Sequence, residues 1–101
     1  MTYIDSLSAL ADPTRRRLFD RLCRRPHAVG ELTQYLRVSQ PAVSQHLRVL
    51  REARLVRSRA VGTKRLYQPN PAGIAAVRKY LDQMWTDALD AYAESFEKGS
   101  K

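Results

Sequence analysis

The sequence predicts a mainly helical domain with one β-hairpin, in the order α-α-α-α-β-β-α, and three observations carry that reading. Apolar residues recur at helical spacing along most of the chain. Asp12-Pro13, Ser39-Gln40-Pro41 and Asn70-Pro71 each pair a capping side chain with a proline that a first helical turn accepts. One stretch, LVRSRAVGTKRLYQ at residues 55–68, loses the helical period and turns at Gly62.

Taken in order, Ile4, Leu7, Leu10 and Ala11 give a short amphipathic first helix. Asp12 caps a second helix from Pro13 to about Arg24, with Leu18, Phe19, Leu22 and Cys23 inward and Arg15, Arg16, Arg17 and Arg21 around them. Pro26 ends it. Val29, Leu32 and Leu36 mark a third helix over residues 28–36, and Arg37-Val38 breaks the chain. Ser39 then caps a fourth helix whose inward row is Val43, Leu47 and Leu50. Two short strands flank Val61-Gly62-Thr63, where Gly62 supplies a positive φ. A last helix starts at Asn70-Pro71 and runs to about Phe96, roughly 39 Å at 1.5 Å per residue. Two helices joined by a short turn and followed by a β-ribbon make a winged helix-turn-helix, whose second helix enters the DNA major groove.

A chain of 101 residues suits one domain, expected over residues 1–97 with a loose tail at 98–101. At this size only about 60–70% of the unfolded surface is hidden, so a partner subunit would help. The net charge is +8, and its placement says more than its size. Between Pro13 and Tyr67 stand 14 Lys+Arg and 3 Asp+Glu, while the two flanks hold 4 and 7. A basic middle with acidic ends fits a polyanion-binding module joined to an element with another task. The single cysteine excludes an internal disulfide framework. The N-terminal MTYIDSLSALADP is not a secretory signal, and no window reaches the roughly 20 apolar residues of a membrane span. A cytoplasmic location is expected.

The fourth helix, within SQPAVSQHLRVL, carries the functional expectation. Ser44, Gln45, Arg48 and Arg51 point away from its apolar row, and Gln40 stands at its start. Arg matches guanine O6 and N7, Gln matches adenine N6 and N7, and Ser adapts to several base edges. A merely solvated face usually mixes Glu and Lys in i, i+4 pairs, whereas here no carboxylate appears before Glu52, which is expected beyond the groove. Arg57, Arg59, Lys64 and Arg65 crowd the hairpin, where Arg59, Lys64 and Arg65 suit phosphates or the minor groove. Charge that guards an exposed hairpin edge would look similar.

The last helix carries Ile74, Val77, Leu81, Met84, Trp85, Ala88, Leu89, Tyr92 and Phe96, a longer apolar stripe than so small a domain covers alone. Part of it, with Ile4 and Leu7, is expected to pack on a second copy, chiefly through Leu81, Met84, Trp85, Ala88, Leu89 and Tyr92. Cys23 reads as a small core residue, and His46 as a packing or backbone contact beside Val43 and Leu47. Asp82, Asp87, Asp90 and Glu94 read as a solvated face. No metal site or cofactor is expected, and no paired acid/base group or phosphate loop points to an enzyme.

ALADPTRRRLFDRL, VGELTQYLRVSQPAVSQHLRVLREARLV and GTKRLYQPNP closely resemble the bacterial ArsR-type winged-helix repressors, from about Leu7 to Leu89. The resemblance implies a homodimer built on the first and last helices that represses transcription at a palindromic operator. It implies recognition positions at Ser39, Gln40, Ser44, Gln45 and Arg48, and a wing at Thr63, Lys64 and Arg65. Metal-sensing branches place a cysteine pair in the third helix or Asp/His/Glu ligands along the last. Here the third helix has no cysteine and the last no histidine, so the chain looks more like the branch without metal ligands, whose members often repress their own operons. The competing readings are a nonspecific architectural or RNA-binding protein, a protein-interaction module, and a thiol-responsive repressor using Cys23.

Overall fold

Five helices and one hairpin follow each other in a computed structural model that describes the backbone of residues 3–99 and the side chains of residues 5–97. They are α1 (Tyr3–Ala11), α2 (Pro13–Arg24), α3 (Val29–Leu36), α4 (Gln40–Glu52), β1 (Val56–Val61), β2 (Lys64–Pro69) and α5 (Pro71–Gly99). The mainly helical winged helix-turn-helix arrangement is the one expected. α5 runs past the expected end at Phe96, because Glu97 and Lys98 are good helix formers and Gly99 suits a helix end. Residues 98–99 therefore continue the helix rather than a tail; residues 100–101 lie outside the described ones.

Local chemistry sets the helix starts. The Arg15 backbone N–H donates to Asp12 Oδ2 at 2.9 Å, the Ala42 N–H to Ser39 Oγ at 3.3 Å, and the Ala72 N–H to Asn70 Oδ1 at 3.2 Å. The Arg15 N–H holds the Asp12 carboxyl below its usual range, with the Arg15 charge adding to it. The contribution is thus present above the unfolded-state pKa and is lost as pH falls through the lower folded-state value. At α3 the cap is half made: Glu31 Oε1 accepts from the Ala28 N–H at 3.0 Å.

The ends are equally specific. Arg37 ends α3 in the left-handed region (φ 57°), its N–H donating to Thr33 O at 2.9 Å. Arg54 does the same after α4 (φ 62°), with Arg54 N–H to Arg51 O at 3.0 Å and Leu55 N–H to Leu50 O at 2.9 Å. That is a Schellman motif, closed by contact between two fully buried leucines, Leu50 and Leu55.

The core gathers Leu18 and Leu22 of α2, Leu32 and Leu36 of α3, Val43, Leu47 and Leu50 of α4, Leu55 and Val56, and Val77 of α5. α1 buries other residues within one chain than its apolar spacing suggests, while Leu7 is expected to face a second copy. Its inward residues are Ser6, Ala9 and half-buried Leu10, whereas Leu7 and Ala11 are exposed and the Ile4 side chain lies outside the described residues. Small residues let α1 approach the end of α4, where Ser6 Oγ donates to Ala53 O at 3.1 Å and so is buried at little cost. Cys23 is also exposed rather than inward. At 100° per residue it lies about 140° round α2 from Leu18, past the edge of the buried stripe.

Gly73 sits where α5 crosses the Arg54 turn, and a Cβ there would overlap the Arg54 carbonyl oxygen. Gly73→Ala must push α5 off that turn, so it is expected to cost about 1–3 kcal/mol and to lower Tm by about 5 °C or more. A thermal melt that matches the wild type would contradict the close approach.

Candidate nucleic-acid interface

Ser39 anchors the first turn of α4, and Val43, Leu47 and Leu50 fix the helix about its axis by burying themselves completely or nearly so. The flank that begins about 20° past Leu47 and the side opposite the row are thereby left to solvent. Gln40, Ser44, Arg48 and Arg51 fall within an arc of about 80°, with Gln45 about 60° further round. All five are exposed, as is Ser39. The structure thus brings the α4 candidates onto one presented surface, held by a packed helix rather than a loop.

Glu52 is closer to this surface than expected: Arg48 Nε stands 3.5 Å from Glu52 Oε2, with both side chains mostly exposed. Such a pair is worth at most about 1 kcal/mol. A bidentate guanine contact is worth about 1–3 kcal/mol, so the pair parks Arg48 without withholding it.

The hairpin closes through Gly62 (φ 64°) and Thr63, with positive φ at the first turn position only, as a type II′ turn requires. Its register pairs Val61 with Lys64, Arg59 with Leu66 and Ala60 with Arg65. Directly opposed residues share a face, so Arg57, Arg59 and Lys64 stand on one side and Arg65 on the other. Arg65 Nη1 there donates to Ser58 Oγ at 3.0 Å. The expected trio is therefore divided, although Arg59, Thr63, Lys64 and Arg65 are all exposed around the tip. If the tip lies on phosphates, Lys64→Ala with Arg65→Ala flattens the plot of log affinity against log salt by about 0.9 for each phosphate no longer neutralised. An unchanged slope in a salt titration would remove the wing from the interface.

The wing is tied to the helices by His27, missed as a core residue because it stands alone in a loop. It is 1% exposed, its backbone pairs with Tyr67 (N···O 3.1 and 2.8 Å), and Nδ1 lies 2.7 Å from Arg25 O. His46 is half-buried, with Nδ1 shielded and without a partner. Among the described residues no three His, Cys, Asp or Glu side chains gather as a metal site. Although Cys23 is exposed, partial shielding of the thiol by its neighbours and the nearby Asp20 charge push it up, so less thiolate forms than on an ordinary cysteine. No helix of the described residues is long and apolar enough to cross a membrane.

Leu7, Leu81, Met84, Trp85, Ala88, Leu89 and Tyr92 are all exposed, with Trp85 and Tyr92 each about two-thirds exposed. The six on α5 continue the line of buried Val77, and beyond it no side chain through residue 97 is buried.

Residues 12–58, which span the helix-turn-helix, match the family model described as bacterial regulatory protein, arsR family. The HTH-type transcriptional regulator Rv2034 of Mycobacterium tuberculosis is 58% identical over 86 residues, covering 85% of this chain and 80% of that one. The chain belongs to the ArsR family. It is a DNA-binding transcriptional regulator and not an enzyme. A transcriptional repressor SmtB homolog of Synechocystis is 48% identical over 60 residues, 59% of this chain and 46% of that one. Among solved structures, a possible transcriptional regulator for arsenical resistance superposes with a TM-score of 0.72 at 42% identity, covering 90% of this chain and 95% of that one. This ArsR-family chain therefore shares with its relatives both the helix-turn-helix segment and the fold around it.

Proposed function

We propose that the chain is a cytoplasmic homodimeric repressor that reads a two-fold symmetric operator through α4, acting as a single domain in which α1 and distal α5 supply the dimer contact. The carrying observation is the exposed Gln40, Ser44, Gln45 and Arg48 surface on a helix whose rotation is set by its buried row. Arg48 and the glutamines bond base edges, Ser39 and Ser44 contact the adjoining backbone or bases, and Arg59, Thr63, Lys64 and Arg65 hold phosphates. Two α4 helices in one dimer meet successive major grooves about 34 Å apart. The uncovered stripe at Leu7, Leu81, Met84, Trp85, Ala88, Leu89 and Tyr92 supports the dimer, and Ile4 is proposed to join it.

With no cysteine in α3 and no histidine in α5, the signal that releases the operator is not read by those ligand sets. Whatever it is, it acts by binding one dimer geometry better than the other. Selection of bound duplexes from a random pool tests the proposal. Enrichment of an inverted repeat with half-sites one helical turn apart is the expected result. Recovery of unrelated sequences would favour a nonspecific architectural protein.

A further inference from the structure

α2 turns a second basic surface to solvent. At 100° per residue, Arg16, Arg17, Arg21 and Arg24 lie within an arc of about 140°, on the side away from Leu18 and Leu22. The ion pairs of the described residues, Arg25–Glu31, Arg48–Glu52 and Arg78–Asp82, involve none of the four. Asp20 is the one carboxylate on that arc. Two of the arginines lie against an aromatic ring. The Arg21 guanidinium lies 4.4 Å from the ring centre of Tyr35 on α3, the Arg17 guanidinium 5.8 Å, and Arg21 Nε is shielded from water there without a partner. Tyr35 itself is 42% exposed. Stacking on the ring settles the side-chain entropy of these groups in advance and leaves guanidinium edges free for an anion.

The DNA-reading face leaves these residues without a role. α2 and α4 meet through their leucine and valine faces in one core, so the arginine arc of α2 and the polar arc of α4 both lie outside that contact, on two different helices. A duplex held by α4 therefore leaves the arginine arc of α2 to another ligand. We propose that the α2/α3 surface docks an acidic segment of another protein while α4 holds DNA; only the position of the DNA rests on the function proposed above. A second duplex fits less well. A phosphate track favours unbroken positive charge, which Asp20 interrupts here, whereas tyrosine with arginine at a partly desolvated centre is the composition of protein hot spots. The guanidinium fork also matches a carboxylate pair. Bound DNA would not repel such a segment strongly, because the domain is 23–24 Å across its short axes and charges are screened over about 8–10 Å.

A short fluorescein-labelled polyglutamate peptide, titrated into the full chain saturated with random-sequence duplex, tests this by anisotropy. The peptide is expected to bind without releasing the duplex. Arg16→Glu with Arg24→Glu should weaken it by about tenfold or more and Tyr35→Ala by about fivefold, with duplex affinity held within about twofold. Lys64→Ala with Arg65→Ala should weaken the duplex and spare the peptide. Both reversed positions are exposed, and should charge reversal unfold α2, Arg16→Gln with Arg24→Gln gives the same readout at smaller size. Peptide that only displaces duplex, peptide affinity indifferent to the α2 substitutions, or a labelled second duplex that binds in its place and is released by them would each overturn the proposal.

Discussion

Met84→Asp with Leu89→Asp is expected to yield a folded monomer that binds its operator at least about 100-fold more weakly than the parent. Neither side chain belongs to the buried core, and both are about half exposed, so the single-chain fold loses little. In the proposed dimer both aspartates would be buried against the partner's apolar stripe, and unpaired buried charges there oppose association. Losing the dimer uncouples the two half-sites, and linkage of this kind contributes about 10²–10⁴ in avidity. Sedimentation gives the state and fluorescence anisotropy the affinity. A variant that remains dimeric with full affinity would place the subunit contact elsewhere.

The second large effect is expected from Arg48→Ala. Each half-site gives up an interaction of about 1–3 kcal/mol, a fall of about 5- to 150-fold for each, and discrimination at one symmetric position relaxes with it. The signature differs from that of the wing. Removing Lys64 and Arg65 weakens all duplexes alike and alters the salt slope, whereas removing Arg48 changes which sequences are preferred. Binding to a panel of single-base operator variants separates the two. Retention of the full parental preference would take Arg48 out of the reading set and leave Gln40 and Gln45 to carry it.

What could be read in advance was local. Asp12, Ser39 and Asn70 announce helices because the cap and the following proline act within one turn, and Gly62 announces the hairpin for a similar reason. The outward set on α4 followed from one apolar row. The division of the hairpin cations was also within reach, since a two-residue loop at Gly62-Thr63 sets Val61 opposite Lys64 and every later pair by alternation. Other features depend on neighbours distant in the chain. Ser6 is inward because Ala53 offers it a carbonyl, and His27 because Tyr67 of β2 pairs with it. Gly73 is required by a carbonyl on the turn after α4. Cys23 was misplaced for a smaller reason: α2 buries a narrow stripe, and a residue about 100° from Leu22 falls outside it.

The relation between α2 and α4 has a consequence for how such a small regulator is used. One core fixes both helices, so a partner bound at Tyr35 and a duplex bound at Arg48 are held by the same packed leucines. Substitutions that loosen that core, Leu18→Ala or Leu47→Ala among them, should therefore weaken both surfaces together, unlike any change at either surface alone.

Contact between α4 and base edges is tested most directly by guanine N7-methylation interference on the selected operator. Blocked binding is predicted at guanines in each half-site, in two clusters about one helical turn apart, with the Arg48→Ala protein indifferent to at least one of them. Binding undisturbed by methylation at every guanine that faces the protein would show that α4 does not read guanine edges in the major groove.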